Sequence, residues 1–380
     1  MPAETAPMML YDTKAKAVIP FEPGPIVTMY TCGITPYDSS HLGHATVYVT
    51  YDVLQRRLRD RGYETRCVRN VTDVDDDILR KARELGVHYL DLAASQIAIF
   101  DRDMESLGLL EAWSTPRATS AIAEIRRLIG HVLDNGHAYQ SGGAVYFDVS
   151  SFEGFGSIGG YDREEMIRLA GIHGGNPDDP NKRDPLDFIL WQPSAPDEPA
   201  WESLWGPGRP GWHIECSALA MRELDSPTID LHGGGGDLVF PHHECESAQS
   251  EAATGEPFVR HWMHQAMVFM DGEKMSKSLG NLVFVHELLK THEAEAIRLG
   301  ISKHHYRDEW SWNDAVMPEA DERWAAWKAA GAGDGALDEV RTALDDDLDT
   351  PTAVAAIDAA VAAGHGVSQA AELLGVRIAG

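Results

Sequence analysis

Residues 32–44, Cys-Gly-Ile-Thr-Pro-Tyr-Asp-Ser-Ser-His-Leu-Gly-His, constrain this chain more than any other stretch. An apolar run over 25–30 precedes them, and Val47, Tyr51, Leu54 and Leu58 follow at helical spacing, so the stretch is a strand-to-helix crossing. Open α/β sheets bind ligands at such crossings. His41 and His44 lie three apart, with Gly43 at the expected helix start, where free backbone N–H groups and the positive dipole end favour a phosphate. Gly43 would let a nucleotide lie close to the backbone.

Far downstream, Lys274, Met275, Ser276, Lys277 and Ser278 put two ammonium groups and two hydroxyls on one short loop. Each stretch alone is ordinary. Together, in this order and separation, they resemble the HIGH and KMSKS signatures of class I aminoacyl-tRNA synthetases. That resemblance implies an α/β fold: a Rossmann-like parallel sheet with an inserted connective domain and a C-terminal helical region.

The remaining pattern divides accordingly. Residues 1–90 hold a short arm with a strand or two, then a strand over 26–32, a helix over 42–61 closed by Gly62, and a strand over 65–71. They form the first half of the nucleotide-binding domain. The acidic cluster over 73–77 offers a Mg²⁺ site or, as Ile78 to Leu85 favours, the first turn of a helix. Residues 91–210 read as the insertion, with helices over 90–107 and 118–135, a β-like pair over 144–149 and little local structure over 171–185. Residues 211–270 resume the sheet with a helix headed by Gly211 and a strand over 228–231. A glycine loop over 232–237 suits close approach of a ligand, and a strand over 264–270 delivers the lysine loop. Residues 271–313 carry that loop and a stem-contact region, and 314–380 are helical and alanine-rich.

Composition bears on the partner. The chain has 32 basic and 60 acidic residues, a net charge of −28, and no basic tract. From residue 314 onward, 4 basic residues stand against 13 acidic ones. Nucleic-acid affinity comes largely from Lys and Arg neutralising phosphates, so this balance argues against tRNA as a partner. Neither a membrane span nor a signal peptide is indicated, which points to the cytoplasm. In a reducing compartment the four spread cysteines, Cys32, Cys67, Cys216 and Cys245, are expected as thiols or metal ligands.

His242 and Glu246 lie four apart and share one face of a helix beginning near Pro241. Thiolates from Cys32 and Cys216 would complete a tetrahedral set of a kind Zn²⁺ accepts. No zinc-finger spacing is present, and the residues alone leave a second reading open, two buried thiols beside a solvated helix. The stretches GWHIECSA, FPHHE and KMSKS, with Cys32-Gly33 before the HLGH residues, resemble cysteinyl-tRNA synthetase and its relatives. In that family a zinc ion binds the substrate thiolate through two Cys, a His and usually a Glu. Residue by residue, the resemblance implies Cys32, Cys216, His242 and Glu246.

The resemblance covers about residues 9–365. Within it, Gly33 to Asp38, Arg298 to Ile301 before His305 to Arg307, and Asp346 to Pro351 are most similar to the mycothiol ligase family, which joins cysteine to glucosaminyl-inositol. The chain also leaves little room for an anticodon-binding domain. The implied activity is ATP-dependent adenylation of L-cysteine, with Mg²⁺, then amide formation with the amino sugar and release of AMP and pyrophosphate. The implied catalytic residues are His41, His44, Lys274 and Lys277. Implied nucleotide and adenylate contacts are Cys32, Gly33, Ile34, Thr35, Gly43, Asn70, Val71, Thr72, Trp212, Gly235, Gly236, Asp237, Val268, Met275, Ser276 and Ser278. Asp237 and His173 are candidates for contacting the acceptor or receiving its proton. Four features depart from the ligase pattern: Val47 replaces an expected threonine, 172–177 differs from the ligase's ERGGDP, and Glu246 and Leu279 are synthetase-like. A short cysteinyl-tRNA synthetase and a catalytically silent binding module therefore stand as alternatives. A monomer is the expected state.

Overall fold

The computed structural model describes residues 6–37, 41–270, 272–275 and 280–378, with only the backbone of Lys274. Its centre is a parallel sheet. Strand β1 (Ile26–Ile34) leads through helix α1 (Leu42–Asp60) to strand β2 (Glu64–Val71). After the insertion come helix α2 (Trp212–Leu224), strand β3 (Ile229–Gly235), helix α3 (Glu244–Thr254) and strand β4 (Val259–Gln265). The spatial order is β4-β3-β1-β2, and every neighbouring pair is parallel. A sheet covered on both faces needs near-continuous apolar strands, which the sequence of β1 supplies. Val27 and Met29 face one core, shared with α1 and the C-terminal helices. Tyr30 and Cys32 face the other, shared with α2, α3 and the insertion.

The acidic cluster begins a helix. Asp75 caps the helix Asp76–Leu85 by accepting the Ile78 N–H at 2.8 Å, while Asp73 accepts from the Thr119 N–H and hydroxyl at 2.9 and 2.7 Å. In the insertion the expected β pair is part of a four-stranded antiparallel sheet, Ala138–Ser141, Ala144–Phe147, Phe188–Gln192 and Arg209–Pro210. Arg209–Pro210 is too short, and too broken by proline, for its pairing to be read locally, while Phe188–Gln192 is an ordinary apolar strand that the sequence reading missed. The expected strand over 264–270 is two strands. β4 ends at Gln265, and Val268–Met270 belongs to a separate small sheet with Glu273–Lys274 and Trp310–Trp312.

The glycine run also differs from expectation, because 232–235 is strand and not loop. A Cβ on Gly233 would lie 2.2 Å from the Tyr51 hydroxyl, so the glycine admits a side chain of α1 and not a ligand. That hydroxyl donates to the Met263 carbonyl at 2.6 Å and accepts the Gly234 N–H at 2.8 Å, tying α1 to β3 and β4. Tyr51→Phe strands two buried backbone groups and is expected to lower unfolding stability by about 1–3 kcal/mol, read by urea titration.

Candidate active site and metal centre

The site opens where β1 and β3 part. They pair through Met29↔Leu231, Tyr30↔His232 and Thr31↔Gly233. Beyond that, β1 continues beside β2 to Ile34 and β3 beside β4 to Gly235. Connections leave this pair of strands in opposite directions, the condition for a ligand crevice at their carboxyl ends. A cavity of about 860 Å³ fills the opening. The β1 ladder is irregular between Thr31 and Ile34, and a Cβ on Gly33 would sit 1.5 Å from the Asn70 carbonyl oxygen. Only glycine fits there; its N–H donates to the Asn70 side chain at 2.8 Å, and Asn70 donates to the Thr72 hydroxyl at 3.2 Å.

His41 and His44 stand at the start of α1 with rings stacked 3.9 Å apart. A Cβ on Gly43 would come within 3.0 Å of the His41 ring, so glycine here also permits the stacking. The Leu42 N–H donates to the Val283 carbonyl at 2.7 Å, and His41 forms a backbone bridge with Phe284. The segment just after the lysine loop thus returns to the start of α1. Of the residues expected at the site, Cys32, Gly33, Thr35, His41, Gly43, His44, Trp212, His173, Gly235, Asp237, Val268 and Met275 line the cavity. Ile34, Asn70, Val71, Thr72, Cys216, Gly236, His242 and Glu246 are not among its lining residues, and Asn70 and Thr72 brace it from behind. Ser276, Lys277, Ser278 and the Lys274 side chain lie outside the described residues.

Behind the lining residue Cys32, Cys216, His242 and Glu246 join it in a buried cluster whose ligand atoms lie within 4.8 Å of one another. α2 brings Cys216, β1 brings Cys32, and the turn into α3 brings His242 and Glu246. A second quartet, Cys32, His232, His243 and Glu246, meets the same criterion. The sequence reading missed His232 and His243. The doubled histidine in 242–243 was the one local signal; His232 enters through strand pairing, opposite Tyr30.

Burial favours the neutral forms of the two thiols and of His242 and His243. It pushes the Cys32 and Cys216 thiols up and holds His242 and His243 well below the usual histidine range. Both oxygens of Glu246 and the Nε2 atoms of His242 and His232 are buried without a hydrogen-bond partner, although His232 Nε2 is 2.8 Å from Glu246 Oε2. Unsatisfied buried acceptors of this density are expensive unless a cation joins them. The donor set, two sulfurs, an imidazole nitrogen and a carboxylate, suits Zn²⁺. His242 is oriented from outside the cluster: its Nδ1 lies 2.8 Å from His213 Nδ1, and Trp212 stacks on its ring at 4.2 Å. Burial pushes His213 down to about 3, so it is neutral and its Nδ1 can accept the His242 Nδ1–H.

The opposite wall comes from the insertion, where Ile172 to Asn176, Asp179 and Lys182 face the cavity. Asp75 joins them, having doubled as a helix cap, and burial pushes its carboxyl up to about 7. The lining is rich in acids, with Asp75, Asp76, Asp77, Asp179 and Asp237 against Lys182. Among the described residues no helix is long and apolar enough to cross a membrane.

Comparison with known proteins follows this geometry. Residues 20–322 match the family model of the tRNA synthetases class I (C) catalytic domain. A Streptosporangium roseum protein named L-cysteine:1D-myo-inositol 2-amino-2-deoxy-alpha-D-glucopyranoside ligase is 45% identical over 94% of this chain and 90% of its own. The protein of that name from Tsukamurella paurometabola is 47% identical over 93% and 88%. Among solved structures, Mycobacterium tuberculosis methionyl-tRNA synthetase with methionyl-adenylate superposes with a TM-score of 0.67 at 17% identity, covering 89% of this chain and 82% of that one. At that identity the likeness speaks for the fold alone.

Proposed function

The chain belongs to the class I (C) tRNA synthetase catalytic-domain family and, within it, to the L-cysteine:1D-myo-inositol 2-amino-2-deoxy-alpha-D-glucopyranoside ligases, and from that premise we propose how its cavity works. It is an ATP-dependent ligase that adenylates L-cysteine and transfers the cysteinyl group to the amine of glucosaminyl-inositol, releasing AMP and pyrophosphate. The observation that carries this reading is one cavity lined by the His41–His44 helix start and by Cys32, whose sulfur also belongs to the buried Cys32–Cys216–His242–Glu246 cluster. Its volume of about 860 Å³ lies high in the range of roughly 300–1,000 Å³ typical of small-molecule sites.

Cys32, Cys216, His242 and Glu246 would hold a Zn²⁺ ion. When bound it supplies a borderline-soft Lewis acid that prefers the cysteine thiolate to the neutral hydroxyl of serine. Trp212, stacked on His242, and Thr35, at the mouth of β1, flank the cysteine. In the first step the cysteine carboxylate attacks the α-phosphorus of Mg²⁺-bound ATP, and His41, His44, Lys274 and Lys277 stabilise charge developing on the phosphates. In the second, a neutral amine attacks the carbonyl of the mixed anhydride, with AMP already a good leaving group. The protein then mainly positions the amine and takes its proton. Asp237 and His173 face that space, and Asp75 adds a carboxyl whose raised pKa suits proton transfer near neutral pH. An acid-lined chamber suits a cationic amino sugar.

Product mass after incubation with cysteine, ATP and either glucosaminyl-inositol or tRNA tests this reading. The cysteinyl amide is expected with the amino sugar. Efficient charging of tRNA without amide formation would overturn the reading and make the chain a short cysteinyl-tRNA synthetase. Absence of any cysteine-dependent ATP turnover would leave a silent binding module.

A further inference from the structure

Beneath Cys32 runs a row of polar atoms that binds neither nucleotide nor acceptor in the reading above. Cys32 Sγ lies 3.3 Å from His243 Nε2. His243 Nδ1 lies 2.7 Å from His264 Nε2, and His264 Nδ1 lies 2.7 Å from the Thr13 hydroxyl. Three separate elements supply these groups: the turn before α3, the end of β4, and the turn of the N-terminal hairpin formed by Met8–Asp12 and Ala17–Phe21. The outer end is fixed in place, because the Thr13 N–H donates to the Trp262 carbonyl at 2.9 Å.

We propose that Thr13, His264 and His243 are positioning residues that aim an N–H at the Cys32 sulfur and so set the donor strength of that thiolate towards the metal; the proposal rests on the metal-centre reading above. A metal-bound thiolate can only accept, and a neutral imidazole has one N–H and one lone pair. Every role in the row then follows from the sulfur. His243 donates from Nε2 and accepts at Nδ1; His264 donates from Nε2 and accepts at Nδ1; the Thr13 hydroxyl donates. A hydroxyl at the far end thereby selects the tautomer of both rings. An N–H directed at sulfur withdraws charge from the thiolate and leaves the metal a stronger acceptor for the incoming substrate thiolate. Groups that orient metal ligands from outside typically change affinity or activity by about 10–100-fold. His243 is in this arrangement a donor to a ligand and not itself a ligand.

The test uses the full chain loaded with Co²⁺ alone, reading the sulfur-to-cobalt charge-transfer band and then the affinity for free L-cysteine. Thr13→Val and His264→Phe are expected to retain one metal per chain, shift the band to lower energy, and weaken L-cysteine binding by about 10-fold or more. Thr13→Ser restores the hydroxyl and is expected to match wild type. Wild-type spectra and affinities in both Thr13→Val and His264→Phe overturn the relay. Should His264→Phe fail to fold, Thr13→Val, nearly isosteric and half-buried, decides alone. Metal loss in His243→Ala as complete as in Cys216→Ala makes His243 a ligand and also overturns it. A wild-type protein that shows no thiolate-to-cobalt band overturns the metal-centre reading itself, and the relay with it.

Discussion

Cys216→Ala protein is expected to lose its metal and, with it, most of its preference for cysteine over serine. Cys216 is 1% exposed, and its thiol meets Cys32, His242 and Glu246 in one buried cluster. Removing it leaves an incomplete set around a buried carboxylate. What remains is a pocket working by shape, and such pockets separate near-isosteric side chains by about 10²-fold or less. Metal analysis and the ratio of cysteine- to serine-dependent ATP–pyrophosphate exchange read the two effects separately. Equal metal content and equal discrimination in wild type and variant would sink the assignment. A pH dependence follows. Burial pushes the Cys32 and Cys216 thiols up, so in the metal-free protein they hold their protons at neutral pH and metal must displace them. Apparent metal affinity therefore rises with pH, by up to about 10²-fold per unit when both thiols release a proton.

The second large effect is expected at the phosphate end. His44→Ala and Lys277→Ala should each slow cysteine-dependent ATP–pyrophosphate exchange by about 10²–10³-fold while changing the KM for ATP much less. These groups would face charge that grows as pyrophosphate departs, so they contribute more to the transition state than to bound ATP. His44 lines the cavity at the first turn of α1, stacked on His41; Lys277 is placed by the loop motif alone. Near-wild-type exchange in both variants would refute the assignment. A rise in KM at constant kcat would instead assign the pair to ground-state binding.

Local chemistry made part of this molecule legible from its residues. The crossing over 32–44 could be read because an apolar run, a glycine and a 3.6-residue pattern are properties of adjacent residues, and α1 begins at Leu42 as that pattern requires. The His242–Glu246 pair was readable for the same reason: four residues along a helix bring two side chains to one face, here 3.5 Å apart.

What adjacent residues do not encode is which distant strands become neighbours. Cys32 meets Cys216 because α2 packs on the face of the sheet that carries Tyr30 and Cys32, a choice made by burying two apolar faces at once and not by any local pattern. The same docking put His232 and His243 beside the expected ligands and closed the row from Cys32 to Thr13 across 19 residues of sequence in one direction and more than 200 in the other. It also changed the meaning of the glycines. Gly233 was read as room for a ligand, yet the space belongs to the Tyr51 ring. A glycine announces close approach, and only the packed structure says what approaches. The residues by themselves determined the chemistry on offer: two thiols, a histidine and carboxylate in register, and two histidines at a helix start. The tertiary structure decided that these come together, with Cys32 common to the cavity and the cluster, because burial of non-local surfaces, and not sequence proximity, sets which side chains share a site.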